Sequence, residues 1–305
     1  MAGWQANDIG DLAGTVAVVT GANAGLGYET ALALAAHGAH VVVAARDPRK
    51  GDDARRAIAA EVSGARLEPG HLDLADLASV EAFATAFLDA HPTLDILVNN
   101  AGARLLAQRT LTADGFETQF GINHLGHFAL TARLLPALLA RPGARVVTVT
   151  SIEHYWAHLD FDDLQSERKY SKSAYGRSKL ANLLFTHELQ RRADAAGRAL
   201  VSVAAHPGWA DTTPIGGAAL VKLTQLVGQP AARGALPSLY AATAPDVVGG
   251  DLIAPGGPGH LRGYPVKIGG ARRGRDPSSA RRLWEVSTEL TGVTYQPLER
   301  AGPGR

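Results

Sequence analysis

Short apolar runs alternate along this chain with longer segments of helical period, and no other feature constrains the fold as tightly. The expected strands are Val16–Thr20, His40–Ala45, Arg66–Leu72, Asp95–Asn99, Arg145–Thr150 and Leu200–Ala205. Between them Ala24–His37, Arg49–Ser63, Leu77–Ala90, Thr112–Leu139 and Ala174–Ala196 place apolar residues at helical spacing. VAVVT and VVVAA are apolar throughout, as strands buried on both faces of a parallel sheet must be. Strand and helix in alternation predict right-handed crossovers and an α/β, doubly wound sheet. Ligands of such sheets bind beyond the carboxyl ends of the strands.

After His206-Pro207-Gly208 the pattern loosens. Residues 209–228 have no firm period and are expected to form a flap over a pocket. A helix is expected over Ala231–Ala242, and the Gly-, Pro- and Arg-rich stretch Pro255–Arg275 reads as loop. SSARRLWEVSTELTG reads as a helix opened by Asp276-Pro277 and closed by Gly292, and the end of the chain as frayed. The expectation is one domain over 1–305, with 209–245 a substrate flap and helix and 255–305 a C-terminal extension capping it.

Composition narrows the chemistry. The 305 residues are 46% hydrophobic and 19% charged, with a formal net charge of +1, which offers no footprint for nucleic acid. There is no cysteine, which excludes disulfides, thiolate catalysis and cysteine-ligated zinc. The first residues carry acids and no basic n-region, and no apolar stretch reaches the length of a membrane span; a cytoplasmic enzyme is expected.

Gly21, Gly25 and Gly27 follow the first strand and open the first helix, with Asn23 and Leu26 among them. Glycines there let the backbone approach a pyrophosphate, and the helix N-terminus offers free N–H groups to it. The spacing, G-x-x-x-G-x-G, differs from G-x-G-x-x-G. The second strand ends in Ala45-Arg46, where an acid would favour NAD. A guanidinium suits the 2′-phosphate of NADP(H) and favours that cofactor, Asn23 being a further donor. The opposing reading gives the ribose to Asp47 and leaves Arg46 in solvent.

Tyr175 and Lys179 lie four residues apart on one face of the helix expected over 174–196. A tyrosine ordinarily loses its proton near pH ~10, and a cation beside it lowers that value. The pair is suited to acid–base work if a hydride is delivered beside it. Ser151, at the end of the fifth strand, is a second hydroxyl for an oxygen that gains negative charge.

Together TGANAGLG, HLDL, NNAG, GINHLGHF, VVTVTS, YGRSK and HPGWADT, in that order and across about two-thirds of the chain, resemble the short-chain dehydrogenase/reductase family. LRGYP, RRLWEVSTELTG and the insertion between Ser151 and Tyr175 resemble its retinol-dehydrogenase-like branch. The resemblance implies a single Rossmann-type sheet with helices on both faces. It makes Tyr175 the catalytic acid or base, with Lys179 lowering its pKa and holding the nicotinamide ribose. Ser151 hydrogen-bonds the substrate oxygen, and Asn123 holds a water that links Lys179 to solvent. Asp73 and Leu74 flank the adenine; Asn100, Ala101 and Gly102 pass the ribose; Pro207 and Gly208 flank the nicotinamide; and Thr212 binds its carboxamide or the pyrophosphate. The activity implied is NADPH-dependent interconversion of a carbonyl and an alcohol. A non-catalytic dinucleotide-binding regulator and a carbon–carbon double-bond reductase are alternatives on the same fold.

His154, Trp156 and Trp209 are expected around the substrate, an apolar small molecule such as a retinoid, a steroid-like ring or a polyketide ketone. The pairs His124/His127 and His154/His158 have metal-ligand spacing but no obvious third ligand, and no metal is expected at them. Leu180, Leu184 and Phe185 read as core rather than as a subunit interface, and a homo-oligomer is left open.

Overall fold

A computed structural model describes residues 3–104, 106–209 and 228–299. Eight strands form one sheet in the order β3-β2-β1-β4-β5-β6-β7-β8. They are β1 (Val16–Thr20), β2 (His40–Ala45), β3 (Arg66–His71), β4 (Ile96–Asn99), β5 (Ala144–Val149), β6 (Leu200–Ala205), β7 (Leu252–Pro255) and β8 (Pro265–Ile268). Neighbouring strands are parallel from β3 to β7, and β8 runs antiparallel to β7. Chain direction across the sheet reverses between β1 and β4, which opens a crevice at their carboxyl ends.

The helices are α1 (Gly25–Ala36), α2 (Pro48–Glu61), α3 (Leu77–Ala90), α4 (Gly126–Leu139), α5 (Ser173–Ala195), α6 (Ala231–Thr243) and α7 (Pro277–Thr291). Strand residues alternate between two cores, as a period of two requires. Val18, Val42, Leu97 and Val146 pack toward α3 and α4. Val19, Val41, Val43, Val98 and Val147 pack toward α1, α2 and α6. Leu180, Leu184 and Phe185 are buried, so the apolar face of α5 is core.

Two expectations need correction. The stretch read as loop over Pro255–Arg275 contains β8, and the end of β7 overlaps its start. Each strand has only four residues and contains a proline, and β8 leaves Val266 and Lys267 exposed at the sheet edge, where proline is tolerated. The helix read over Thr112–Leu139 starts later. Thr112–Phe116 is a turn, closed by a Thr112 N to Phe116 O hydrogen bond of 2.8 Å and by pairing of Leu111 with Glu117. The buried Glu117 carboxylate then accepts from Gln119 N (2.9 Å) and Phe120 N (2.7 Å) and starts a helical turn, Thr118–Phe120. Gly121–Leu125 follows as a π-helical turn before α4. Apolar period cannot reveal that extra residue, and such turns recur at functional sites.

Candidate active site

The end of β1 organises the crevice. The hydroxyl of Thr20 accepts from Asn100 N and Ala101 N, both at 2.9 Å, and Asn100 Nδ2 donates to Thr20 O at 2.7 Å. The Asn100 side chain therefore ties β4 to β1. Gly21 (φ 66°) and Gly25 (φ 55°) adopt left-handed conformations in the turn between β1 and α1. A Cβ on Gly27 would sit 2.4 Å from Gly21 O and 2.6 Å from Asn100 Nδ2. This close-packed backbone leaves the start of α1 open to an anion and fits a dinucleotide pyrophosphate.

A cavity of about 770 Å³ runs from this turn along the carboxyl ends of the strands. Gly21, Asn23, Gly25, Leu26, Gly27, Arg46, Asp73, Leu74, Asn100, Ala101 and Gly102 line one part of it. Ser151, Tyr175, Lys179, Pro207, Gly208 and Trp209 line the rest, so most of the residues singled out from sequence share one cavity. Gly126 brings α4 close to its floor, since a Cβ there would meet Leu74 O at 2.5 Å. Thr212 and residues 210–227 of the expected flap lie outside the described residues. At the far end Asn23, Arg46, Asp47, Pro48, Arg49 and Lys50 surround a recess. The Asp47 carboxylate there caps α2, accepting from Arg49 N at 3.0 Å.

Tyr175 and Lys179 lie in the first turns of α5, both buried, with Lys179 Nζ 5.8 Å from the centre of the Tyr175 ring. Nζ donates to Val149 O at 3.0 Å. Burial, with the Arg104 guanidinium adding to it, pulls the Lys179 amine down to about 7. Burial pushes the Tyr175 phenol above its ordinary value, and the Arg104 guanidinium and the nearby Ser151 hydroxyl act in the opposite direction. Arg104 is thus a cation that opposes burial at the phenol. Arg104 also lines the cavity, and no sequence motif pointed to it.

Asn123 is not in the cavity wall. Its Nδ2 donates to Ala103 O (3.0 Å) and Ser178 Oγ (2.8 Å), and its Oδ1 accepts from Ala103 N (2.7 Å). It clamps the segment after β4 to α5, beside Lys179. His127 ties the same region to β1: Nδ1 bonds Asn123 O at 3.0 Å and Nε2 bonds the Thr20 hydroxyl at 2.9 Å. Burial holds the His127 ring neutral, near a pKa of about 3. Nδ1–H then donates, and Nε2 accepts from Thr20.

The structure separates the expected substrate contacts. Trp209 lines the cavity, but Trp156 is largely exposed and His154 is fully buried behind it. His154 Nδ1 bonds Ser151 O at 2.5 Å, and Nε2 accepts from Ala271 N at 3.3 Å. The short helical turn Ile152–Tyr155 presents Ile152 and Glu153 to the cavity instead, and Leu261 joins them from the loop before β8. His124 Nε2 bonds the Ser287 hydroxyl at 2.8 Å, and His158 is exposed.

Residues 15–219 match the family described as short chain dehydrogenase. The chain is a short-chain dehydrogenase/reductase. Within that family it belongs to the retinol-dehydrogenase-like branch. Human retinol dehydrogenase 12 is 40% identical over 290 residues, which cover 93% of this chain and 89% of the relative. A crystal structure of an uncharacterized protein from Mycobacterium Paratuberculosis matches with a TM-score of 0.82 at 42% identity, over 96% of this chain and 99% of that one. A crystal structure from Beutenbergia cavernae, described as an NAD(P) dependent gluconate 5-dehydrogenase with NADP bound at low occupancy, matches with a TM-score of 0.60 at 27% identity, over 76% of this chain and 91% of that one. As a short-chain dehydrogenase/reductase the protein is an oxidoreductase built to hold a nicotinamide dinucleotide. No described helix is long and apolar enough to cross a membrane.

Proposed function

We propose that this protein is an NADPH-dependent oxidoreductase that interconverts a carbonyl and an alcohol on an apolar small molecule. The observation that carries the reading is that Ser151, Tyr175 and Lys179 line one cavity with the glycine turn. The nicotinamide, when bound, supplies the hydride that no side chain can. Tyr175 Oη gives its proton to the substrate oxygen, and Ser151 Oγ donates a hydrogen bond to the same oxygen as it gains charge. The carbonyl so gains a hydride at carbon and a proton at oxygen and becomes the alcohol. Lys179 would hold the nicotinamide ribose, and Asn123 and His127 are positioning residues that hold the 101–104 segment against α5 and β1. Ile152, Trp209 and Leu261 offer apolar surface to the substrate, and the relative named retinol dehydrogenase accords with an apolar alcohol.

The raised Tyr175 pKa gives a direction to the pH dependence. The phenol stays protonated through neutrality, which is the form needed to reduce a carbonyl. Alcohol oxidation needs the phenolate, whose population rises about tenfold per pH unit below its pKa. Oxidation should therefore accelerate from pH 7 to 9 while reduction stays nearly level over the same range. Initial rates in both directions against pH check this, and an oxidation rate that falls with pH overturns it.

The preference for NADPH is supported by the recess lined by Arg46, Arg49 and Lys50, which suits a 2′-phosphate. The one carboxylate there, Asp47, is engaged at the start of α2. Arg46→Ala should lower kcat/KM for NADPH by about 10–100-fold, chiefly through KM, and change kcat/KM for NADH by less than about threefold. An equal loss with both cofactors would show that Arg46 does not read the phosphate.

A further inference from the structure

Three side chains unrelated to the crevice converge at the other end of the sheet. His40 opens β2, so it lies at the opposite end of its strand from Arg46. Glu68 is on the neighbouring edge strand β3, two residues beyond the register partner of His40, which is Arg66. His91 ends α3, its backbone N–H bonded to Phe87 O at 2.8 Å. His40 Nε2 is 2.8 Å from one Glu68 carboxylate oxygen, and His91 Nε2 is 3.0 Å from the other. The three ligand atoms all lie within 4.8 Å of one another, and among the described residues no other set of three His, Asp or Glu side chains converges in this way.

We propose that His40, Glu68 and His91 form a binding site for a divalent transition metal, zinc above all. Two neutral imidazole nitrogens and one carboxylate are a donor set that zinc takes readily, with water completing a tetrahedron. Bonds of about 2.0–2.1 Å around a tetrahedral ion separate the ligand atoms by roughly 3.4 Å. The three ligand atoms, all within 4.8 Å of one another, need only small shifts to reach that spacing. The rings are well placed to stay put. His40 and His91 meet edge to face with centres 5.3 Å apart, and the His91 ring packs on Phe87 at 4.8 Å. Their side chains are 22% and 11% exposed, against 42% for Glu68, so the nitrogens are held by packing while the carboxylate side opens to solvent. Magnesium and calcium, which take oxygen ligands, fit poorly.

The three ligands come from β2, from β3 and from the end of α3, so the ion would clamp the edge strand to its neighbour and to the helix that follows it. Lying away from the carboxyl ends of the strands, it would stabilise the fold and take no part in turnover. Without metal the same carboxylate bonds His91 Nε2 at 3.0 Å and lies 2.8 Å from His40 Nε2, an arrangement that a bound ion would replace.

The test uses the full chain, stripped with a chelator and titrated with zinc chloride by calorimetry and thermal unfolding, with magnesium chloride as control. Expected are one zinc per chain at low-micromolar Kd or tighter and a Tm that rises with zinc and ignores magnesium. Glu68→Gln, which keeps a hydrogen-bonding side chain, should weaken binding at least tenfold and abolish the Tm response, as should His91→Gln. Both variants should retain wild-type turnover. The proposal is overturned if wild type binds no zinc, or if both variants bind it with unchanged stoichiometry and Tm response, because the remaining histidines would then hold it.

Discussion

Tyr175→Phe should lower kcat for carbonyl reduction by about a thousandfold or more while leaving the Kd for NADPH within a few-fold of wild type. The exchange removes one hydroxyl and keeps a ring that is only 8% exposed, so packing around α5 is preserved and stability should move by no more than about 1 kcal/mol. Two contributions are lost together. General acid catalysis is worth about 10²–10⁴-fold, and removal of a hydrogen-bond donor to a developing oxyanion costs about 10²–10³-fold. Ser151 remains in the wall, its hydroxyl still within 3.4 Å of Glu153 N, but it has no neighbouring proton source to replace the phenol. Single-turnover reduction of a ketone or aldehyde panel, read beside NADPH binding by fluorescence, separates chemistry from affinity. Full activity in the phenylalanine protein would remove the central role given to Tyr175.

The parts of this molecule that were legible in the sequence are those in which one period or one spacing decides the geometry. Runs such as VAVVT and VVVAA predicted a sheet buried on both faces, and β1 and β2 alternate residue by residue between the two cores. Four-residue spacing on a helix brought Tyr175 and Lys179 into one cavity, and the end of β5 delivered Ser151 to the same place. The failures occur where the backbone departs from a regular period. The π-helical turn Gly121–Leu125 adds a residue that apolar spacing does not record, and it lies where Asn123 and His127 must face different partners. His154 was misplaced because the turn Ile152–Tyr155 directs consecutive side chains different ways, sending Glu153 to the cavity and His154 toward Ala271. Arg104 sits in an irregular segment after β4, so its effect on both Tyr175 and Lys179 depends on tertiary proximity alone. The cluster of His40, Glu68 and His91 spans residues far apart in sequence, and strand register together with the length of α3 assembles it.

Lys179→Met should act in opposite senses on activity and on stability, which is the signature of a residue retained for chemistry. Turnover should fall by about a hundredfold or more, because the amine that would hold the nicotinamide ribose beside Tyr175 is lost. The protein without cofactor should nevertheless unfold at a higher temperature than wild type. Burial pulls the Lys179 amine from its ordinary 10.5 to about 7, so folding near neutrality works against a charge that the unfolded chain solvates freely. At about 1.4 kcal/mol per pKa unit, the penalty is on the order of 4 kcal/mol at pH 7. Methionine has a similar reach and carries no charge. Nor does it orphan the carbonyl that Nζ bonds, because Val149 O also accepts from Asn182 Nδ2 at 3.0 Å. Between pH 7 and 10.5 the unfolded chain binds the lysine proton and the folded chain does not. Wild-type stability from this group therefore rises with pH across that window, and the burden is full below it. The Tm advantage of the methionine protein should be largest near pH 6–7, roughly 5 °C or more, and should shrink as the pH approaches 10. Calorimetric unfolding of both proteins at several pH values measures it. A methionine protein less stable than wild type at pH 7 would mean that Lys179 is held in α5 by the fold, with its charge compensated, rather than carried there at a cost for the reaction.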